Sequence, residues 1–527
     1  MDIRTTGGPA TAEEMAAVDA LVGPAEPAAY HVAYGGHAAR SRRHLLLPVL
    51  HSIQDRVGWV SRGALEYACR RLAVPPAEAF GVVSFYARFA REPRDETVEV
   101  CDDIVCQLAG GRAEHGVNCL GQCDRAPATL DYTRPVTGPS TPRGQIRLLR
   151  RVGAVDPESL DSYRAHGGFE ALGRAREIGG ANVIRLVTES NLLGRGGAAF
   201  PTGRKWDSVA KAPAPRFLVC NADESEPGTF KDRVLMEGDP FALVEAMAIA
   251  ALAAGCEKGY IYIRTEYPLA RERIANAIAR SRDAGLVDVD IEVRRGAGAY
   301  ICGEETALFN SIEGKRGEPR NKPPFPVQSG LFGRPTLVNN VETLVNVLDI
   351  VRGEFTDTRL FCVSGHVAQP GVYEVPLGTP LRTLLEQADA RNVYAVLLGG
   401  AAGSFLTPGE LDVPLSFDGT RAIGATLGSG AVIVFDDTAN MKQALLRIAR
   451  FFRDESCGQC VPCRVGTKRQ EEILERMLHT PNGDVQADVM LLTDIAQAMR
   501  DASICGLGQT AANAIASGLT QLKVING

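Results

Sequence analysis

The sequence is poor in the features that would mark several common functions. Its first thirty residues carry Asp2, Glu13, Glu14 and Asp19 and no apolar segment of the kind a secretory signal needs. The longest apolar run, Phe241–Cys256, is too short for a bilayer span and contains Glu245, so it reads as a buried helix. Positive charge is not in excess: 57 Lys and Arg stand against 63 Asp and Glu, a net charge of -6, which excludes nucleic acid as the main partner. The patterns G-x-x-x-x-G-K-[ST], H-E-x-x-H and G-x-S-x-G do not occur, so nucleotide hydrolysis and the common hydrolase chemistries lack a site. The eight histidines are scattered and form no ligand set. These absences imply a cytoplasmic protein without direct membrane insertion, whose thiols are kept reduced.

What is present is length, glycine and cysteine. The 527 residues suffice for three or four domains at roughly 150 residues each. With 45% hydrophobic and 23% charged residues the composition is that of an ordinary globular protein. The 13 cysteines are odd in number and clustered, which suits metal ligation better than a disulfide framework. Residues 1–38, rich in Ala, Gly and Pro, read as a loose arm. Helical spacing follows from Arg40, then a helix near Ser61–Leu72 with Ser61 as its N-cap, and another from Pro75-Pro76. Thr97–Val100 alternates like a strand, and Gln145–Val152 reads as a further one. Residues 155–355 alternate helices with short β-rich runs, an α/β order; a hairpin follows from Leu360, and from Met441 onward nearly everything reads as helix.

Cys457-Gly-Gln-Cys460-Val-Pro-Cys463 is a C-x2-C-x2-C loop with a lone Cys505 further on. Three thiolates this close converge on one soft metal centre, and the spacing is that of an iron–sulfur loop whose fourth ligand folds back from elsewhere. Cys101-x4-Cys106 and Cys119-x3-Cys123 place four more thiols on two loops, which suits a [2Fe–2S] cluster. For both sets a structural zinc ion is the alternative. Gly194–Lys205 formally contains G-x-G-x-x-A but follows a helical pattern, so it is not read as the usual dinucleotide fingerprint. It offers free backbone N–H groups and a lysine for a phosphate. Asn221–Gly228 and Gly296–Glu305 each follow a strand and bring Gly and Glu together where α/β sheets bind ligands. Gly314–Pro326 is a basic, proline-rich loop.

Together, Gly194–Trp206, Asn221–Arg233, Gly296–Pro326, Pro335–Glu342, the Cys457 loop and Cys505 resemble the family of NADH-binding flavoprotein subunits of respiratory complex I and its soluble relatives. Residues 40–130 look like the thioredoxin-like [2Fe–2S] subunit that pairs with it, fused here on one chain. Val100-Cys-Asp102, Asp454–Cys460 and Met499–Gln509 make the layout most similar to the β subunit of NAD-dependent molybdenum- or tungsten-containing formate dehydrogenases.

The resemblance implies an α/β multidomain fold: an arm at 1–38, a helical plus thioredoxin-like domain at 39–150, a Rossmann-like FMN domain at 151–356, a β-grasp (ubiquitin-like) domain at 357–437 and a helical bundle at 438–527. Carried over by motif, Gly194, Gly196, Gly197, Lys205, Asn221, Asp223, Glu224, Tyr300, Gly303, Glu304, Asn339 and Asn340 would contact FMN. Phe200, Glu226, Glu305, Lys322 and Phe325 would line the NAD(H) site, with Glu226 and Glu305 orienting the nicotinamide and ribose for hydride exchange with the flavin. Cys457, Cys460, Cys463 and Cys505 would hold [4Fe–4S], and Cys101, Cys106, Cys119 and Cys123 would hold [2Fe–2S]. The implied partner is a formate-oxidising catalytic subunit with iron–sulfur clusters and a molybdenum or tungsten cofactor; a hydrogenase or complex I parent is the alternative. From another class, the alternative is a zinc-stapled assembly subunit without catalysis. Two departures stand out. Relatives carry an aromatic where this chain has Ser208, and they place a helix and strand between the two amino-terminal cysteine pairs, where only residues 107–118 lie here. A trimmed thioredoxin-like unit follows.

Overall fold

The computed structural model describes residues 8–23, 42–94, 98–111, 113, 116–132, 134, 143–144, 147–479, 485–522 and 524. The amino-terminal part is not a loose arm throughout. Ala12–Val22 is a helix with a reciprocal capping box: Thr11 Oγ1 accepts from Glu14 N, and Thr11 N donates to the Glu14 carboxylate at 2.8 Å. Its alanines, read as a sign of looseness, are what let it dock. Ala17 and Val18 are fully buried against the helices Leu46–Val57 and Arg62–Leu72, where a larger side chain would hold the backbones apart. Residues 1–7 and 24–38 of the expected arm lie outside the described residues. Ser61 caps the second of those helices through Ala64 N, and Pro76–Phe85 follows, both as expected.

The next unit is small. Val98–Val100 and Thr129–Asp131 pair antiparallel, with the short helix Ile104–Leu108 between them and a single bridge from Cys101 to Val117. The expected strand at Gln145–Val152 is absent among the described residues. The N–H groups of Arg147, Leu148 and Leu149 go instead to the buried carboxylate of Glu374, at 2.7, 3.0 and 3.2 Å, which bends the segment into turns.

Four parallel strands form the central sheet, in the spatial order Asp290–Arg295, Lys258–Ile263, Phe217–Ala222, Thr336–Asn340. The direction of winding reverses between the last two, which opens a crevice at their carboxyl ends. Cys220 and Asn221 stand in register with Asn339 and Asn340 there. The apolar run is the buried helix Pro240–Ala254. Its one carboxylate, Glu245, accepts from Tyr163 Oη, Phe169 N and Leu172 N at 2.6, 2.8 and 2.9 Å, which satisfies a charge that could not otherwise be buried.

A second, mixed sheet grips the helix Leu381–Gln387, as a β-grasp domain does. Its strand order is Ser404–Leu406, Val393–Leu398, Ala431–Asp436, Thr358–Gly365, Gly371–Pro376, Arg143–Gly144. Leu381, Leu384 and Leu385 close its own core with Phe361, Val396 and Val434. The chain ends in the helices Met441–Glu455, Val461–His479, Val485–Ala502, Gly506–Thr510 and Asn513–Gln521. Among the described residues, no helix is long and apolar enough to cross a membrane.

Replacing Glu245 by Leu adds apolar area but orphans three donors. It is expected to destabilise the protein by about 2–4 kcal/mol, read as a fall in the urea midpoint; an unchanged midpoint would show that those donors find other partners.

Candidate functional site

The crevice between Phe217–Ala222 and Thr336–Asn340 gathers the loops singled out from the sequence. The glycine-rich loop is closed by Gly194 N donating to Phe200 O at 2.9 Å, and Gly196 lies so close to Asn340 that a Cβ would come within 3.2 Å of that side chain. Gly197 has φ +114°, which a side chain would strain. Trp206 Nε1 donates to Asn339 Oδ1 at 2.9 Å, while Asn340 caps the next helix through Glu342 N and donates to Asp232 at 2.6 Å. On the facing loop, Asn221 Nδ2 donates to Gly303 O at 2.8 Å.

Three carboxyls of this loop are altered by burial. Desolvation pushes Asp223 and Glu224 each up to about 8 and Glu226 up to about 7. Glu224 is held by Asp232 N, Arg233 N and Tyr267 Oη. Asp223 Oδ2 is buried without a hydrogen-bond partner, a polar atom left for a group from outside the chain. Glu226 accepts from Tyr300 Oη and, at 2.9 Å, from Ala402 N in the turn between Val393–Leu398 and Ser404–Leu406, so that turn holds it in place.

The mouth of the crevice is charged and aromatic. Lys205 Nζ lies 3.7 Å from Glu305, donates to Val338 O and stands 5.7 Å from the centre of the Phe200 ring. Burial lowers its pKa. Lys322 reaches Glu304 at 2.8 Å and Glu305 at 3.2 Å. Phe200 and Phe325 are 45% and 52% exposed, large apolar rings left for a ligand to cover. Backbone N–H groups, an unpartnered buried polar atom and two open rings fit a flavin mononucleotide with a nicotinamide dinucleotide beside it.

The amino-terminal thiols come together as two pairs. Cys119 Sγ is 3.4 Å from Cys123 Sγ, and Cys101 meets both Cys106 and Cys119. All four are at most 4% exposed. Four linked thiols on two loops suit a two-iron cluster. In the carboxy-terminal bundle, Cys457 and Cys460 lie in the loop after Met441–Glu455, and Cys463 opens the next helix. The Cys505–Gly508 turn folds back so tightly that a Cβ on Gly508 would come within 2.9 Å of Cys463 Cβ. Burial pushes the Cys463 thiol up to about 12 and Cys505 to about 11, so soft metal centres would displace protons on binding.

Sequence reasoning missed the groups that join these sites. Glu455 accepts from Asn118 Nδ2 at 2.6 Å and from Tyr300 N at 2.8 Å, which ties the Cys457 loop to the Cys119 loop and the Gly296–Glu305 loop. Arg447 donates to Asn118, and Arg264 and Arg233 donate to Cys119 O and Gly121 O. Only the position of Glu455 just before Cys457, and of Arg264 just after a strand, gave any sign.

Such a fold and site define an NAD-linked electron-transfer protein with a flavin and two iron–sulfur centres. Family models agree with this. "Nuo51 FMN-binding domain" matches residues 187–349, "NADH-ubiquinone oxidoreductase-F iron-sulfur binding region" 443–523, "Thioredoxin-like [2Fe-2S] ferredoxin" 34–115 and "SLBB domain" 360–388. The chain is 43% identical over 403 residues to the F 2 subunit of the NADH-quinone oxidoreductase of Rhizobium meliloti, covering 71% of this chain and 95% of that relative. It is 42% identical over 409 residues to the HndC subunit of the NADP-reducing hydrogenase of Solidesulfovibrio fructosivorans, covering 72% and 82%. A chain of NAD+-reducing [NiFe]-hydrogenase in the H2-reduced state matches with TM-score 0.80 and 33% identity over 92% of both chains. The chain belongs to the family of FMN- and iron–sulfur-containing NADH-oxidising subunits of NADH-quinone oxidoreductases and NAD-reducing hydrogenases. Its cofactors are FMN, [4Fe–4S] and [2Fe–2S], and it is a diaphorase module, not a zinc-stapled scaffold. The thioredoxin-like match ends at residue 115, between the two cysteine pairs.

The hydrogen bond from Tyr300 favours the charged form of Glu226. Tyr300→Phe is therefore expected to raise the Glu226 pKa above about 7, seen by pH-difference infrared spectroscopy of the carboxyl band. A pKa that stays in place would contradict that bond.

Proposed function

We propose that the chain exchanges a hydride between NAD(H) and FMN and passes single electrons to or from a formate-oxidising partner subunit with a molybdenum or tungsten cofactor, in a hetero-oligomer. Bound FMN supplies the conversion between a hydride and single electrons. The observations that support the NAD(H) half are the Tyr300–Glu226 hydrogen bond, the Lys205 ammonium shared by Glu305 and the Phe200 ring, and the exposed rings of Phe200 and Phe325. Phe200 and Phe325 would stack on adenine, and Glu226 and Glu305 would orient ribose and nicotinamide over the flavin. Lys322, held by Glu304 and Glu305, would fix the far wall. Gly194, Gly196, Gly197 and Lys205 would hold the FMN phosphate and ribityl end, and Asn221, Asp223, Glu224, Gly303, Asn339 and Asn340 the rest of it. With FMN and NAD(H) bound, these residues would bind and orient the two groups and need supply no general acid or base.

Cys457, Cys460, Cys463 and Cys505 would carry the [4Fe–4S] cluster, and the four amino-terminal cysteines the [2Fe–2S]. The functional division is into 39–150, 151–356, 357–437 and 438–527, with the helix Ala12–Val22 joined to the first of these. The formate reading rests on Val100–Asp102, Asp454–Cys460 and Met499–Gln509 within the fused layout. A hydrogenase parent is the second reading, favoured by the match over 92% of the hydrogenase chain.

Glu226→Ala is expected to raise the KM for NADH in the ferricyanide assay at least tenfold, about 1.4 kcal/mol, with FMN content unchanged. An unaltered KM would remove Glu226 from the NAD(H) site. Affinity capture from native extract with metal analysis tests the partner: molybdenum or tungsten with formate-dependent NAD+ reduction supports the formate reading, and nickel with hydrogen-dependent reduction replaces it.

A further inference from the structure

The trimmed [2Fe–2S] unit has almost no core of its own. Cys101 and Cys106 pack in a small cluster with Leu120, Ala128 and Leu130, whereas Cys119 and Cys123 are part of the large core that runs through the FMN domain. The two cysteine loops thus straddle a seam between the cores, with Leu120 in the small cluster and Ile104 and Val105 in the large one. The FMN domain closes that seam with buried cations. Arg264, 4% exposed, donates from Nη2 to Cys119 O at 2.6 Å and from Nη1 to Glu224 O at 2.7 Å, so one guanidinium spans the cluster loop and the flavin loop. Its plane lies over the Tyr267 ring at 5.0 Å, and Tyr267 packs against Gly121, where any Cβ would collide with the phenol. Glu266 neutralises Arg264 at 3.1 Å and is shared with Arg88, which also pairs with Glu99 at 2.7 Å.

We infer that Arg264 is a positioning residue through which the FMN domain sets the reduction potential of the [2Fe–2S] cluster, a role that rests on Cys101, Cys106, Cys119 and Cys123 being its ligands. Cluster potentials respond to nearby net charge, and Arg264 places a buried positive charge against the Cys119 backbone from the flavin side. A buried cation at the Cys119 backbone stabilises the extra negative charge of the reduced cluster, and in this poorly screened seam its effect is large. Glu266 works in the opposite sense. A lysine keeps the charge but cannot span both carbonyls, because it lacks the planar fork.

The test is an EPR-monitored redox titration of the full-length holoprotein carrying FMN and both clusters. In Arg264→Gln the ratio of reduced to oxidised [2Fe–2S] at fixed potential is expected to fall about tenfold, roughly 59 mV for a one-electron couple. Arg264→Lys is expected to recover most of that loss, and Glu266→Gln to move the ratio the other way. The [4Fe–4S] signal and FMN content should stay at the parent level. Unmoved ratios in Arg264→Gln, or a shift of the same sign in Glu266→Gln, would overturn the inference; if Arg264→Gln does not accumulate, the sign in Glu266→Gln decides. Cys119→Ala, which leaves no donor atom at that position, separates the two possible failures. Loss of the [2Fe–2S] signal there, with an unmoved Arg264→Gln, overturns the role of Arg264 alone. A retained signal overturns the ligand assignment and the role of Arg264 with it.

Discussion

Three parts of the chain meet at one half-buried carboxylate. Glu455 ends the helix that leads into the Cys457 loop, and burial raises its pKa, so its position is tolerable only because Asn118 and Tyr300 N donate to it. Asn118 precedes Cys119, and Tyr300 donates in turn to Glu226 at the crevice. The three loops therefore cannot shift independently without breaking the bonds that hold this desolvated carboxylate. Electron transfer needs its centres held at fixed separations, and this node supplies the constraint with short polar bonds. An apolar interface would permit sliding.

The same logic explains how a trimmed [2Fe–2S] unit remains in place. Two strands and one short helix are too little to form a stable domain alone. The missing wall comes from outside: Arg264 and Arg233 bind Cys119 O and Gly121 O, Arg233 also pairs with Asp124 at 2.7 Å, and His366 reaches Leu108 O at 3.3 Å. Fusion on one chain removes the entropic cost of assembling a separate subunit and lets the FMN domain supply the cavity.

Much of the site was legible because its chemistry is local. The C-x2-C-x2-C loop, the glycine-rich loop after a helix and the two Gly/Glu loops after strands are each contiguous, and each lies where its pattern implied. The hairpin from Leu360 and the terminal helices followed from periodicity for the same reason. The failures were tertiary. Alanine and proline near the start suggested a loose arm, yet the Thr11–Glu14 capping box and a partner surface for Ala17 and Val18 make a helix. The apolar spacing of 145–152 suggested a strand, and a carboxylate more than two hundred residues away captured its N–H groups. Bonds such as Asn118–Glu455 join residues 337 apart, and no local pattern encodes them.

The central claim is that one chain holds a flavin and two iron–sulfur centres as a unit that NADH can reduce. Anaerobic titration of the purified chain with NADH, followed by low-temperature EPR and by analysis of flavin, iron and sulfide, tests it most directly. The account predicts one FMN and about six iron atoms per chain, with a [2Fe–2S] and a [4Fe–4S] signal appearing as NADH is added. A colourless protein with stoichiometric zinc, or clusters that dithionite reduces and NADH does not, would contradict it.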